Sequence, residues 1–329
     1  MRPIVLDFDG AVAPLPDELR IPLRHREQAV RYGCGLGTLA ALRAELAPVL
    51  PCAGSPVFTG SGDFHHVTLE LVRRCYAQGP IDVVVFDNHP DNMRFPLGVH
   101  CGSWVRRVAL LPFVRSVHVV GITSRDVSAG HAWEHYLMPI LRGKLTYWCA
   151  GMDTAWAARL GMAARVRGFA TSREMIARFT AEQRDRRSGV YLSIDKDVLA
   201  REEARTNWDQ GDLRVDDLMD AVASLRGRLI ACDITGEVSA ARYAQRWKRV
   251  LSSLDRQPRV DAALLSAWQR QQHAVNLRLL DGLRATVEAA GAHHERRPQP
   301  TPGTAFAREG PRNNAGTSPA ERGRDAYHP

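Results

Sequence analysis

Short apolar runs that alternate with amphipathic stretches constrain the fold of this 329-residue chain more than any other feature. Six runs are apolar at nearly every position, which is typical of strands that are buried on both faces of a sheet. These runs cover residues 3–8, 81–86, 116–122, 144–149, 189–194 and 229–234. The stretches between them have helical spacing and include residues 67–77, 131–141, 172–183 and 215–225.

This alternation predicts an α/β fold. Strands that alternate with helices are joined by right-handed crossovers and pair in parallel, so we expect three layers, α/β/α, around a mainly parallel sheet. Residues 240–290 are mainly helical in pattern, with a break near Gln257-Pro258. Because no Pro/Gly-rich linker divides the body, residues 1–290 are predicted to form one domain. Residues 291–329 contain six prolines and few large apolar side chains, which predicts a disordered tail.

The net charge of +8 comes from arginine, because Lys144, Lys196 and Lys248 are the only lysines among 44 basic residues. The arginines are scattered and form no basic run with interleaved aromatic residues, so we expect no nucleic-acid partner. The chain contains no apolar stretch of about 18 residues, which argues against a membrane partner. Its six cysteines are far apart and form no C-x-x-C pair, as is typical of a reducing compartment. We expect a cytoplasmic protein.

Carboxylates follow three of the predicted strands at the points where the strands end. The three segments are Asp87-Asn88-His89-Pro90-Asp91, Asp195-Lys196-Asp197 and Asp233-Ile234-Thr235-Gly236-Glu237. A glycine-rich turn over residues 59–66 ends in His65 and His66, just before a predicted helix. Because the carboxyl ends of parallel strands open onto one edge of a sheet, we expect these side chains to lie close together.

Such a cluster predicts a metal site. Carboxylates packed together repel one another unless a divalent cation compensates their charge. Mixed carboxylate and imidazole ligands favour Mn²⁺ among first-row metals, with Zn²⁺ or Fe²⁺ as alternatives. Two ions that share a carboxylate would hold a hydroxide nucleophile between them, so the pattern indicates a hydrolase.

The order of these motifs resembles the arginase/agmatinase (ureohydrolase) superfamily over about residues 55–240. The resemblance is carried by Gly62-Asp63-Phe64-His65, the D-x-H-x-D motif at 87–91 and the S-x-D-x-D motif at 193–197. It implies an arginase/deacetylase-like fold, two Mn²⁺ ions and hydrolysis of a C–N bond other than a peptide bond. The metal ligands that it implies are His65, Asp87, His89, Asp91, Asp195 and Asp197. The catalytic residues that it implies are Asp91 and His100 for proton transfer and Glu237 for holding a cationic substrate group.

Departures from the family pattern leave several points open. Phe64 separates Asp63 from His65, so the ligand is either His65 or His66. Lys196 places a cation inside the D-x-D motif, and Gly236 shifts Glu237 by one position. We expect a small nitrogenous substrate, either guanidino or amide, and by resemblance a homo-oligomer. A catalytically silent metal-binding relative is the alternative.

Two rival motifs predict other chemistry. Asp7 and Asp9 lie in a segment that looks like the first motif of haloacid-dehalogenase-type phosphatases, with one Asp as nucleophile and the next as acid/base. That interpretation leaves the 87–91 motif unexplained. Residues 131–135 match the H-x-x-E-H motif of zinc proteases, but no later helix supplies a third ligand. Ordinary capping and turn chemistry at strand ends is the remaining alternative for the aspartates.

Overall fold

A nine-stranded sheet forms the centre of the protein in the computed structural model, which describes residues 1–50, 54–255, 257 and 260–294. Every neighbouring pair in this sheet is parallel, and the order is β2-β1-β4-β11-β10-β5-β7-β8-β9. The strands are β1 (Ile4–Asp7), β2 (Leu19–Pro22), β3 (Gly33–Cys34), β4 (Pro56–Phe58), β5 (Ile81–Phe86), β6 (Val99–His100), β7 (Val114–Ile122), β8 (Leu145–Ala150), β9 (Val166–Phe169), β10 (Val190–Asp195) and β11 (Leu229–Thr235). The two remaining strands, β3 and β6, form a separate antiparallel pair.

Helices occupy most of the crossovers between the strands. They are α1 (Glu27–Val30), α2 (Leu36–Leu46), α3 (Thr68–Arg73), α4 (Val105–Ala109), α5 (Met138–Leu141), α6 (Ala155–Arg159), α7 (Ser172–Gln183), α8 (Val215–Ala223), α9 (Arg246–Leu254) and α10 (Leu265–His294). None of the helices in the described ranges is long and apolar enough to cross a membrane.

Side-chain alternation along the central strands creates two apolar cores, one on each face of the sheet. Val83 and Val85 of β5 belong to the core that also contains Leu71 of α3. Val84 and Phe86 belong to the other core, on the face covered by α7, α8 and α10. Since successive strand residues point to opposite faces, one strand supplies both cores. The predicted three-layer α/β/α class is confirmed.

The structure differs from the sequence prediction most clearly at residues 131–141. A single helix is predicted there, but the chain forms a 3-10 turn over Ala132–Glu134 and then the separate helix α5. The prediction is wrong because Pro139 lacks an N–H group and cannot continue a preceding helix, whereas it is well suited to the first turn of a new one. Strands β2, β4 and β9 are missed because they have at most four residues, and β2 and β9 are also interrupted by an arginine.

The carboxyl-terminal helix packs on the same body as the sheet. Val275, Leu279 and Leu283 of α10 are buried in the core that α7 and α8 share. The predicted break in the 240–290 segment falls between α9 and α10. The disordered tail predicted over residues 291–329 lies outside the described residues, apart from 291–294, which continue α10.

A buried histidine makes the stability of this fold depend on pH. His118 of β7 is buried, and its Nδ1 accepts a hydrogen bond of 3.2 Å from the Trp148 indole. Burial, together with the nearby Arg186 guanidinium, lowers the pKa of His118 to about 3. The unfolded chain has an ordinary histidine pKa of about 6.5 and therefore binds the extra proton first. The stabilisation by neutral His118 is fully present above that pH and is lost as the pH falls towards about 3.

We predict that His118→Gln flattens the dependence of the unfolding free energy on pH. One titrating group contributes a slope of about 1.4 kcal/mol per pH unit between its two pKa values, and glutamine does not titrate. Urea unfolding of both proteins at several pH values between about 4 and 6 measures the two slopes. Parallel curves would show that His118 does not titrate differently in the folded and unfolded states.

Candidate metal centre

The ends of adjacent strands bring the predicted ligands together. Strands β4, β11, β10 and β5 are neighbours in the sheet, and their carboxyl ends lie along one edge. Asp87, His89 and Asp91 follow β5, while Asp195 ends β10 and Asp197 lies two residues later. The loop after β5 turns sharply, because Asp91 has a φ of 46° in the left-handed region. Aspartate tolerates this conformation better than most residues.

His65 faces three of these carboxylates at once. It lies in a 3-10 helix over Gly62–Val67, and its Nδ1 is 2.9 Å from Asp91 Oδ2, 3.3 Å from Asp87 Oδ2 and 3.3 Å from Asp195 Oδ2. The adjacent His66 points elsewhere, with its Nε2 3.8 Å from the Cys34 sulfur. The geometry therefore distinguishes the two histidines and places His65 in the cluster.

A second group of ligand atoms shares Asp87 with the first. His89 Nδ1 lies 3.0 Å from Asp197 Oδ2 and 3.6 Å from Asp87 Oδ1. The two oxygens of Asp87 thus face two different histidines, and each resulting group of three side chains has ligand atoms close enough to hold one metal ion. The structure brings together all six residues that the sequence predicts as ligands.

Hydrogen bonds on the far side of His65 determine which of its ring nitrogens carries hydrogen. Ser193 Oγ donates to Asp233 Oδ2 at 3.1 Å, so the same hydroxyl accepts from His65 Nε2, which is 3.0 Å away. A neutral His65 therefore carries its hydrogen on Nε2 and directs the Nδ1 lone pair at the carboxylates. Asp233 is anchored in turn by the Tyr191 and Thr68 hydroxyls, at 2.6 and 2.8 Å.

His89 is oriented in the same way by a residue that sequence reasoning did not assign. Asp209 Oδ1 lies 2.8 Å from His89 Nε2, and Asn88 Nδ2 donates to the same carboxylate at 3.3 Å. Trp104 has a comparable effect on Asp91, because its indole N–H donates to Asp91 Oδ2 at 2.6 Å. No local motif marks Asp209 or Trp104, since each lies more than ten residues from the ligand that it contacts.

The electrostatics of the cluster favour a bound cation. Burial and the charge of the neighbouring Asp87 raise the pKa values of Asp91 and Asp197 to about 7. Burial opposes a charge on His65, but the facing Asp87 and Asp91 carboxylates raise its pKa well above the ordinary value. The carboxylates thus favour a cation at this position, and without a metal a proton supplies it.

These residues fit a divalent metal on chemical grounds. Among the described residues, none hydrogen-bonds to the buried Asp87 Oδ2, although it lies next to the His65 ring. Two kinds of electron-pair donor, imidazole nitrogen and carboxylate oxygen, therefore converge without a hydrogen between them when His65 is neutral. A cation of small radius, with oxygen and nitrogen ligands, satisfies all of them.

A cavity of about 1030 Å³ opens above the cluster. Its floor contains the ligands, and its wall includes His100, Trp208 and Asp209. The predicted proton-transfer residue His100 is buried, and its Nδ1 accepts the Gly102 N–H at 3.0 Å, so Nε2 carries the hydrogen. Burial, and the charge of Lys248, lower the pKa of His100 to about 3. His100 is therefore a neutral imidazole at pH 7 rather than an imidazolium.

Glu237 is placed differently from the prediction that it binds a substrate cation. Its carboxylate is buried and pairs with Lys196 Nζ at 2.5 Å, and it does not line the cavity. Gly236, with a φ of 89°, permits this arrangement, because a side chain there would collide with Asp195 and with the backbone of Lys196. The cation that Glu237 binds in the structure is therefore the Lys196 ammonium group.

The rival motifs do not form sites. Asp9 is held by the buried Arg31 guanidinium at 2.9 Å, Asp7 faces Arg20 and Arg24, and neither aspartate lines the cavity. His131 and His135 do line it, but they lie on either side of a 3-10 turn and belong to neither metal-holding group found among the described residues. The phosphatase and zinc-protease interpretations therefore lack the geometry that they require.

Comparisons with known proteins give one family match and several distant similarities. The model of the arginase family matches residues 29–246. An uncharacterized protein of Thermotoga maritima is 27% identical over 224 residues, which cover 68% of this chain and 71% of that protein. The fold is similar to formimidoylglutamase from Bacillus subtilis (16% identity, 84% of this chain and 74% of that chain, TM-score 0.48). It is also similar to proclavaminate amidino hydrolase from Streptomyces clavuligerus (19%, 73% and 68%, TM-score 0.44).

We predict that His65→Ala abolishes binding of a divalent ion at the first group, whereas His66→Ala leaves metal stoichiometry unchanged. The two residues are adjacent and both are buried, so the pair controls for loss of packing. Metal analysis after equilibration with Mn²⁺, together with circular dichroism to verify folding, compares them. Equal metal content in the two variants would contradict the assignment of His65.

Proposed function

The chain belongs to the arginase family, and from this membership we propose that it is a manganese-dependent hydrolase that cleaves a C–N bond in a small guanidino or amide substrate. One observation carries the proposal. Six buried or nearly buried side chains from two strand ends and one 3-10 helix converge in two groups that share Asp87. A shared carboxylate between two histidine-containing groups is the arrangement expected of a two-metal site.

The ligands divide between the two groups. His65, Asp87, Asp91 and Asp195 would hold one ion, and Asp87, His89 and Asp197 the other. Divalent ions in such a pair supply Lewis acidity, which makes water a nucleophile at neutral pH. The preference for Mn²⁺ follows from a ligand set of carboxylates and imidazoles without thiolate.

The protein itself positions the reacting groups. Asp91 Oδ2 is fixed by the Trp104 indole and faces His65, so its other oxygen is the one available to orient water and accept a proton from it. His100 presents its Nε2 hydrogen as a neutral donor in the cavity, where it can hydrogen-bond to the leaving nitrogen. Trp208 and Asp209 form an aromatic and acidic wall, which favours a substrate that carries positive charge.

We predict that the protein purified with Mn²⁺ binds about two ions per chain and hydrolyses at least one member of a small substrate panel. The panel contains agmatine, guanidinobutyrate and arginine, assayed by urea release, and N-acetylated diamines, assayed by amine release. Activity should disappear on chelation and return when Mn²⁺ is added. A protein that holds two ions and hydrolyses none of these compounds would instead be a catalytically silent relative.

We predict that His100→Gln lowers kcat by about 10²–10³-fold, the usual effect of losing one positioned hydrogen-bond donor in an active site. Metal content should stay unchanged, because His100 is in neither group of ligands. His25→Gln is the control, since His25 is exposed and pairs with Glu45 away from the cavity. A loss of the same size in both variants, or in neither, would exclude His100 from catalysis.

A further inference from the structure

Lys196 lies between two ligands in the sequence but points away from both. Strand β10 ends at Asp195, and in the 3-10 turn over Lys196–Val198 that follows, Asp197 faces His89 whereas the Lys196 side chain extends to α10. Its ammonium group is fully buried, 2.5 Å from Glu237 Oε1 and 2.8 Å from Asn276 Oδ1 of α10. Asn276 Nδ2 also donates to Glu237 Oε1 at 2.6 Å. The carboxylate, the ammonium group and the amide form a closed hydrogen-bonded cluster, which we call the Lys196 cluster.

Other buried acids next to the metal centre are also committed to partners within the chain. Asp63 pairs with the Arg31 guanidinium at 2.9 Å, and Asp233 accepts three hydroxyl groups. Asp209, in contrast, is exposed on the cavity wall, where it contacts the ring nitrogen of His89. Two divalent ions would neutralise the four ligand carboxylates. Among the described residues, these partners leave no buried carboxylate at the cavity floor to bind a cationic reacting group.

Glu237 is buried and does not line the cavity, and Lys196 and Asn276 both hydrogen-bond to its Oε1. A substrate guanidinium in the cavity therefore contacts Glu237 only if the Lys196 cluster opens. Removing one partner of a buried ion pair is strongly destabilising, because the other charge stays buried without compensation. The acids that remain on the cavity wall, Asp126, Glu134 and Asp255, are partly or fully exposed and thus lie towards solvent. The cavity therefore offers carboxylates to a positive charge at the outer end of the substrate. It offers no free carboxylate to a positive charge at the reacting carbon.

We propose, resting on the proposed hydrolase function, that the group that reacts is a neutral amide rather than a guanidinium, because Lys196 occupies the carboxylate of Glu237. Water adds its oxygen to the carbonyl carbon and the C–N bond breaks. The electron pair of that bond and one proton of the water pass to the leaving nitrogen, which then takes the second proton from the new carboxylic acid. The products are a carboxylate and an ammonium ion. Lys196 is thus a specificity-determining residue that acts through Glu237.

Two isosteric ligands test whether a guanidinium in the cavity of the wild-type protein reaches Glu237. Agmatine and N-carbamoylputrescine differ in one group, a guanidinium in the first and a neutral urea in the second. With three lysines in the chain, ¹⁵N-lysine labelling gives a simple spectrum, and Lys196→Arg identifies the Lys196 signal. In protein loaded with diamagnetic Zn²⁺, we expect neither ligand to shift that signal. A shift with agmatine alone would show that the guanidinium reaches Glu237 and would overturn the proposal.

Activity gives the second readout. We expect kcat/KM for N-acetylputrescine to exceed that for agmatine by at least about tenfold in the Mn²⁺-loaded enzyme, since a site without a partner for a charged group rejects it. Glu237→Gln should change both values by the same factor. Faster hydrolysis of agmatine, or selective loss of agmatine hydrolysis in Glu237→Gln, would overturn the inference and leave the hydrolase function intact. If no compound is hydrolysed with metal bound, the hydrolase function fails, and the lysine spectrum still decides whether Glu237 is accessible to a guanidinium.

Discussion

Four buried carboxylates at the ends of two adjacent strands are the constraint on which the rest of this site depends. Asp87, Asp91, Asp195 and Asp197 are each less than a tenth exposed, and they lie where β5 and β10 leave the sheet. Four buried negative charges this close together destabilise the fold unless cations compensate them. Among the described residues, no lysine or arginine pairs with these four carboxylates, whose ion-pair partners are histidines. The surrounding hydrogen bonds instead turn the ring nitrogens of the two histidines towards the same points.

Four buried carboxylates elsewhere in the protein pair with cationic side chains of the chain itself. Asp9 and Asp63 share the Arg31 guanidinium, Asp82 pairs with Arg115, and Glu237 pairs with Lys196. In each case a full positive charge from the chain lies within hydrogen-bonding distance. The aspartates of the metal centre have histidines in that place, whose neutral form offers a lone pair rather than a charge. This contrast, more than the number of acids, distinguishes a site built for an external cation from a structural ion pair.

The sequence predicts which of these side chains lie together, because their positions depend on local rules. Apolar runs locate β5 and β10, and the residues that follow a buried parallel strand must lie at the carboxyl edge of the sheet. The choice between His65 and His66 is not predictable in this way, because it depends on how a 3-10 helix is rotated against β10. Asp209 is missed for a related reason: it meets His89 across 120 residues of chain, without a motif. Helical periodicity over 131–141 misleads because it ignores the missing N–H of Pro139.

The environment of Glu237 depends on α10, whose Asn276 lies 39 residues after Glu237 in the chain. Lys196 begins the 3-10 turn that follows β10, and its side chain extends away from the two neighbouring aspartates towards α10. There Asn276 completes the Lys196 cluster, and Gln272 donates to the Gly236 carbonyl at 2.9 Å. Both residues follow the segment, 29–246, that matches the arginase family. The candidate metal ligands therefore all lie in the segment that matches the family, whereas the environment of Glu237 depends in part on a helix outside that segment. Because Glu237 is buried away from the cavity, our proposal makes the absence of a free carboxylate at the cavity floor the feature that selects a neutral reacting group.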